Sequence, residues 1–305
     1  MRPGPLLVVV ALAGIATAAA FAASDPSRLL LGDGKYGTAP RVGYVDSCQT
    51  SFFGGGAQAN GPWIHGATWD STKKLSVTGA VHWHSRFSAK VSGARRILSG
   101  NGLPSMPTGV FPIASSDPAY AYDRNPNTIS GYTLEVSLPA SPMLAASPTC
   151  VGGTVGMSTL GVPFYSSFDA AGRDAAAHEL QDACGGHPQV SGQYHFHGLS
   201  PCWRDSVLSR KTHLVGWALD GFGIYVEYGR NGKLLSDSDL DACHGRTSVV
   251  DWDGRSVRMY HYDATEDFPY LVGCYRGTPI TSATGLGIGG GGGGGGHAPP
   301  PGGGP

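Results

Sequence analysis

Charge is what this chain has least of: only 14% of its 305 residues are Asp, Glu, Lys or Arg, and the formal net charge is -1. A nucleic-acid binder needs a basic field to collect phosphates, and none exists here. No acidic run marks a highly charged partner either. Beyond the first 22 residues no stretch is long and apolar enough to span a bilayer. Also absent are Cys-x-x-Cys, HExxH, GxSxG and a phosphate loop, which excludes a zinc ribbon and the common hydrolase and nucleotide signatures. Asp237-x-Asp239-x-Asp241 begins like a calcium loop, but Ala242 takes the required glycine position and Ser248 the bidentate glutamate position.

What the chain does have is 48 glycines and 22 prolines, a turn-rich composition that points to a β protein rather than a helical bundle. Arg2, the apolar run Leu6 to Ala20 and the small-x-small site Ala20-Phe21-Ala22 read as a secretory signal peptide over residues 1–22. The expected address is therefore secreted or extracellular, with the periplasm or cell wall included, and no membrane contact after cleavage. The six cysteines, at 48, 150, 184, 202, 243 and 274, fit that oxidising address as disulfides. Residues 23–42 read as a mature N-terminal arm and 43–277 as the globular domain. Residues 278–305 read as a disordered tail, because the Gly289 to Gly296 run buries nothing. Strands are expected at Leu75–Trp83 and Tyr132–Leu138, and a short helix at Asp174–Ala183.

An internal duplication organises the rest. Val155 to Tyr165 aligns without gaps to Val215 to Tyr225. Asp182-Ala183-Cys184-Gly185-Gly186 then matches Asp241-Ala242-Cys243-His244-Gly245, and Tyr194-His195-Phe196-His197 matches Tyr260-His261-Tyr262-Asp263. Two copies, about 151–198 and 211–264, are too few for an open solenoid. The expected fold is mainly β (α+β): antiparallel sheets with short helices, containing two strand–helix–strand repeats about a pseudo-two-fold axis. The repeats favour disulfides 184–202 and 243–274, with 48–150 tying down the N-terminal part; the swapped pairing 184–274 with 202–243 is equally symmetric.

The chemistry sits in the histidines. On a strand, His195 and His197 project from one face, because side chains alternate with period two. Two imidazoles a pleat apart can chelate one cation, and the second copy offers His261 and Asp263 at the same positions. If the copies meet at the axis, these converge on one divalent transition metal, zinc or copper. His187, just after the Cys184 turn, is a further ligand candidate. Asp182 and Asp241 recur in both copies, and Asp220 replaces Leu160 in one copy only. All three are candidates to orient imidazoles or move protons, with helix-end hydrogen bonding the plain alternative for the recurring pair. His178, read as a surface residue, and Glu179 lie on the short helix; His82 and His84 form another same-face pair.

These segments resemble the YHYH family. Gly161-Val162-Pro163, Asp182 to Pro188, Tyr194 to His197, Gly216 to Phe222, Leu240 to Cys243, Phe268-Pro269-Tyr270 and Gly273 to Gly277 carry the likeness, with Asn101 to Pro104 and Gly109 to Pro112 as its upstream element. Two positions depart from the pattern: Phe196 replaces the second Tyr of the name motif, and Met106 stands where a histidine is expected. The resemblance reinforces the residue set without implying a reaction. The functional expectation is an exported metal-binding protein, a metal-dependent hydrolase or oxidase acting on a small molecule or extracellular polymer. The competing expectation is a non-enzymatic module that binds polysaccharide or a wall component, with structural histidines.

Overall fold

The computed structural model describes residues 24–203 and 211–287. The expected signal peptide and the glycine run lie outside the described residues. Among the described residues no helix is long and apolar enough to cross a membrane.

Three small sheets form the N-terminal part. One holds β1 (Leu29–Leu30), β4 (Ile64–His65) and β5 (Thr68–Trp69); another pairs β2 (Tyr36–Gly37) with β3 (Val45–Asp46). The third is an antiparallel meander of β6 (Phe87–Ser92), β7 (Arg95–Gly100) and β8 (Leu134–Pro139). In β8 the buried residues Leu134, Val136 and Leu138 alternate with more exposed ones, as a one-face strand requires. The residues expected as an N-terminal arm are thus part of the packed structure through β1 and β2. The expected strand at Leu75–Trp83 does not form. Val77 makes a single bridge to Asp182 and Val81 a single bridge to Thr108. Between them Gly79 has a φ of 127°, which breaks the extended run.

The main body is one eight-stranded sheet. Its strands are β9 (Thr154–Ser158), β10 (Pro163–Tyr165), β11 (Gly186–Pro188), β12 (Tyr194–Phe196), β13 (His213–Ala218), β14 (Gly223–Val226), β15 (Gly245–Trp252) and β16 (Arg255–Asp263). The spatial order is β11-β12-β10-β9-β13-β14-β16-β15. Most neighbours are antiparallel, but β10 with β12 and β14 with β16 run parallel. At the centre β9 lies antiparallel to β13 with Met157 opposite Trp217. Gly156 and Gly216 permit this approach: a Cβ on either would lie 2.5 or 2.4 Å from a backbone oxygen of the partner strand. Met157, Phe164, Phe196, Trp203, Val215, Ile224 and Tyr262 pack the core.

The helical content is small. α1 (Ala175–His178) is a single turn capped by Asp174, whose side chain accepts from the Ala177 amide, and Glu179 that follows it is extended. The equivalent segment of the second copy is a 3-10 turn, Asp237–Asp239. The disulfides are Cys48–Cys150, Cys184–Cys202 and Cys243–Cys274, the pairing favoured from the repeats. Residues expected in the tail also pack: Ile280 donates to the Leu219 carbonyl, Thr284 bridges Glu135, and Leu286 is buried.

Candidate metal centre

The hairpin of β11 and β12 builds the site. Its register sets His187 directly opposite His195, with ring centroids 4.5 Å apart. Period-two alternation sends Tyr194 and Phe196 to the other face, where Phe196 packs on Trp203 and the Tyr194 hydroxyl donates to Asp182. His197, two residues beyond His195, returns to the site face. One ring nitrogen from each of His187, His195 and His197 falls in a group spanning no more than 4.8 Å, and all three residues are buried.

Backbone carbonyls fix the rings. His195 Nδ1 donates to the Gln193 carbonyl at 3.2 Å and His197 Nδ1 to the Ser166 carbonyl at 2.6 Å. With their protons on Nδ1, both imidazoles aim an Nε2 lone pair at the other across 3.0 Å. Tyr165 of β10 stacks on His195 with centroids 4.0 Å apart and meets His197 edge-on. Asn125 lies 3.5 Å from His187 Nδ1 and donates to the Pro188 carbonyl at 3.0 Å.

Glu179, just past α1, borders the three rings. Its Oε2 lies 3.4 Å from Nε2 of both His187 and His197 and has no hydrogen-bond partner among the described residues. Burial, reinforced by Asp169 and Asp123, pushes the Glu179 carboxyl well above its ordinary range. Burial also holds the imidazole of His197 down to about 4, and burial together with His197 holds His195 well below its usual value. The pocket therefore penalises isolated charge of either sign. Phe52 and Phe168 complete a cavity of about 30 Å³, room for an ion and a water.

The two copies do not converge, which corrects the expectation of a single site across the axis. His261 and Asp263 group with Glu227 instead, all three buried. Four strands separate β12 from β16 in the sheet, which at ~4.8 Å per strand step places the groups about 24 Å apart. The physical reason is the β9–β13 pairing: the copies join through their first strands, so their last strands lie toward opposite edges. In this second group Glu227 Oε2 is 3.4 Å and Asp263 Oδ2 3.7 Å from His261 Nε2. Arg246 takes the cross-strand position opposite His261 that His187 takes opposite His195.

The three aspartates expected to serve the metal bind the scaffold instead. Asp182 accepts from the amides of Gly109 and Cys184 at 3.0 and 2.9 Å and from Tyr194. Asp241, which is exposed, accepts from the Cys243 and Gly245 amides at 2.9 and 3.1 Å and from Tyr260. The recurrence of this aspartate thus marks a turn that both copies need. Asp220 accepts from Tyr262 at 2.6 Å and from the Gly277 amide at 2.9 Å. His178 is buried rather than at the surface, its Nε2 3.0 Å from Asp33. His82 and His84 are exposed and join neither group. Met106, where the family pattern led us to expect a histidine, is buried in the core. Glu227 carries no signal in the sequence, and Glu179 stands there only as a candidate on the short helix; no motif spacing ties either to a histidine.

Comparison with known proteins adds a family. No curated protein and no solved structure matches the chain. The family model described as YHYH protein matches residues 135–234. That stretch holds Glu179, His187, His195 and His197, and it ends before His261 and Asp263. Residues 135–234, with the whole of the three-imidazole group inside them, are a YHYH domain.

Proposed function

We propose that this is an exported metal-dependent hydrolase whose centre is His187, His195 and His197, with Glu179 as the proton acceptor beside it. One observation carries the reading: two imidazoles locked by carbonyls into the same tautomer point their Nε2 lone pairs at each other across 3.0 Å. Two lone pairs at that distance repel, and a cation between them turns the repulsion into two bonds. In a tetrahedral zinc site with Zn–N near 2.0–2.1 Å, neighbouring ligand atoms sit ~3.3 Å apart, close to the 3.0 Å between the Nε2 atoms of His195 and His197. Three imidazoles suit zinc first and copper next.

A divalent metal held by His187, His195 and His197 would supply a polarised water at neutral pH. The chain's own residues supply the rest. The Ser166 and Gln193 carbonyls hold the rings, and Tyr165 keeps the His195 plane fixed. Glu179, whose Oε2 is 3.4 Å from two of the three rings, receives the proton of the attacking water. A divalent charge at the three rings would offset the burial that raises the Glu179 carboxyl. The substrate is an ester or other hydrolysable bond in a small molecule or extracellular polymer that reaches the cavity beside Phe52 and Phe168.

Export is supported by three disulfides with no free cysteine among the described residues. We also infer that the sheet arose from two copies of one four-stranded unit, related by an axis between Met157 and Trp217. The supports are the register at that pair and the matched bonds on either side, Tyr194 to Asp182 with Tyr260 to Asp241, and His195 to Gln193 with His261 to Met259.

The test is a screen of the zinc-loaded protein against p-nitrophenyl esters, a phosphodiester and glycosides, with Glu179→Gln alongside. The reading expects turnover of at least one class, and a fall of at least 100-fold in the variant while its metal is retained. A loaded protein inert to all three classes would contradict hydrolysis and leave the extracellular binding module in its place.

A further inference from the structure

The second group, Glu227, His261 and Asp263, lies far from the first and none of its residues serves it. Asp263 is 0% exposed, and neither of its carboxylate oxygens accepts a hydrogen bond from a described residue. The same holds for His261 Nε2, in a ring that is also 0% exposed and whose Nδ1 is engaged by the Met259 carbonyl at 3.1 Å. Leaving a buried carboxylate without a partner is costly, so a site this closed calls for an occupant.

The neighbours do not fill it. Glu227 is already balanced by Arg246, whose Nε lies 3.4 Å from Oε2, and it accepts from Ser248 at 3.0 Å. Arg246 thus pairs with Glu227, while Asp263 makes no close contact with a described arginine or lysine and its Oδ2 lies 3.7 Å from His261 Nε2. One ring nitrogen and two carboxylate oxygens then face a common point, all within 4.8 Å of one another. We propose that Glu227, His261 and Asp263 form a second metal site, separate from the three-imidazole centre and harder in its donors. One nitrogen with two carboxylates favours a divalent cation of the manganese or iron(II) kind, where three imidazoles favour zinc. Burial on every side gives it a structural role, cross-linking the end of β16 to the residue that follows β14.

The proposal stands on its own residues and does not depend on the first centre. Its test uses the full chain, stripped with chelator, given a single equivalent of zinc to fill the three-imidazole centre, and titrated with Mn²⁺ while the free-ion paramagnetic signal is followed. One Mn²⁺ per chain should bind, with hyperfine coupling to a single imidazole nitrogen. Binding should persist in His195→Ala/His197→Ala and weaken at least tenfold in Asp263→Asn and in Glu227→Gln. Circular dichroism of each variant separates lost binding from lost folding, and the wild-type coupling pattern stands even if a variant misfolds. Absence of Mn²⁺ binding by the wild type up to millimolar concentration would overturn the site, leaving a proton to neutralise Asp263. Coupling to several imidazoles, or Mn²⁺ lost with His195 and His197, would overturn it as well.

Discussion

Tyr262 donates its hydroxyl to Asp220 at 2.6 Å, deep in the sheet, while the aligned positions of the other copy hold Phe196 and Leu160. Hydroxyl and carboxylate are present together or absent together. The acid found in only one of the two matched sequence blocks is therefore one half of a buried pair, and Phe196 stands where the other half is missing. Tyr262 also accepts from the Arg276 amide at 2.7 Å, which ties the final described segment to the sheet.

This pairing predicts a thermodynamic cycle. Asp220→Leu alone strands a buried hydroxyl and should cost ~1–3 kcal/mol or more, since the Gly277 amide loses its acceptor too. Adding Tyr262→Phe should restore part of the loss, so that the double variant is more stable than the sum of the singles. Urea unfolding measures it. Strict additivity would show that the two side chains do not act as a unit, and a change in metal content in Asp220→Leu would return that residue to the site.

Asp174 should impose a pH dependence of known sign. Burial raises its carboxyl to about 6 against the opposing hydrogen bonds from Tyr270, Gly32 and Ala177. Because the folded value lies above the unfolded 3.8, the folded state holds its proton longer. Its contribution is full below about pH 4 and is lost as pH rises through 6. Asp174→Asn keeps the cap but cannot ionise, so its stability relative to wild type should rise between pH 4 and 6.5, by of order 3 kcal/mol at most. Parallel stability curves for the two proteins across that range would refute the assignment.

The Cys184–Cys202 bond closes a short loop around the hairpin that carries His187 and His195. Its removal in Cys184→Ala/Cys202→Ala should lower stability by ~3 kcal/mol from loop entropy. Zinc affinity should fall as well, because the hairpin's base is no longer clamped. Unfolding and metal titration of that variant check both, and unchanged zinc affinity would mean that β11 and β12 are held by the sheet alone.

How far the sequence was legible follows from where each signal is stored. Alternation within four residues put His195 and His197 on one face, and the duplication favoured the three disulfides, because both signals are local or repeat. Glu179 reaches the rings only because the helix stops after one turn and Glu179 itself is extended, a consequence of tertiary packing. The separation of His261 from His195 depends on which strands of the two copies pair, and no pattern within a copy encodes that. Leu75–Trp83 misled for a related reason: its composition suits a strand, but Gly79 splits it between two unrelated partners.

The most direct check on the metal centre is elemental analysis of the mature protein, purified without chelator or affinity histidines and reloaded with a single equivalent of zinc. Zinc should be retained at one per chain through gel filtration, and lost in the folded His195→Ala/His197→Ala variant but kept in His261→Ala. Zinc that leaves the wild type on the column, or that the His195→Ala/His197→Ala variant holds as tightly, would contradict the account.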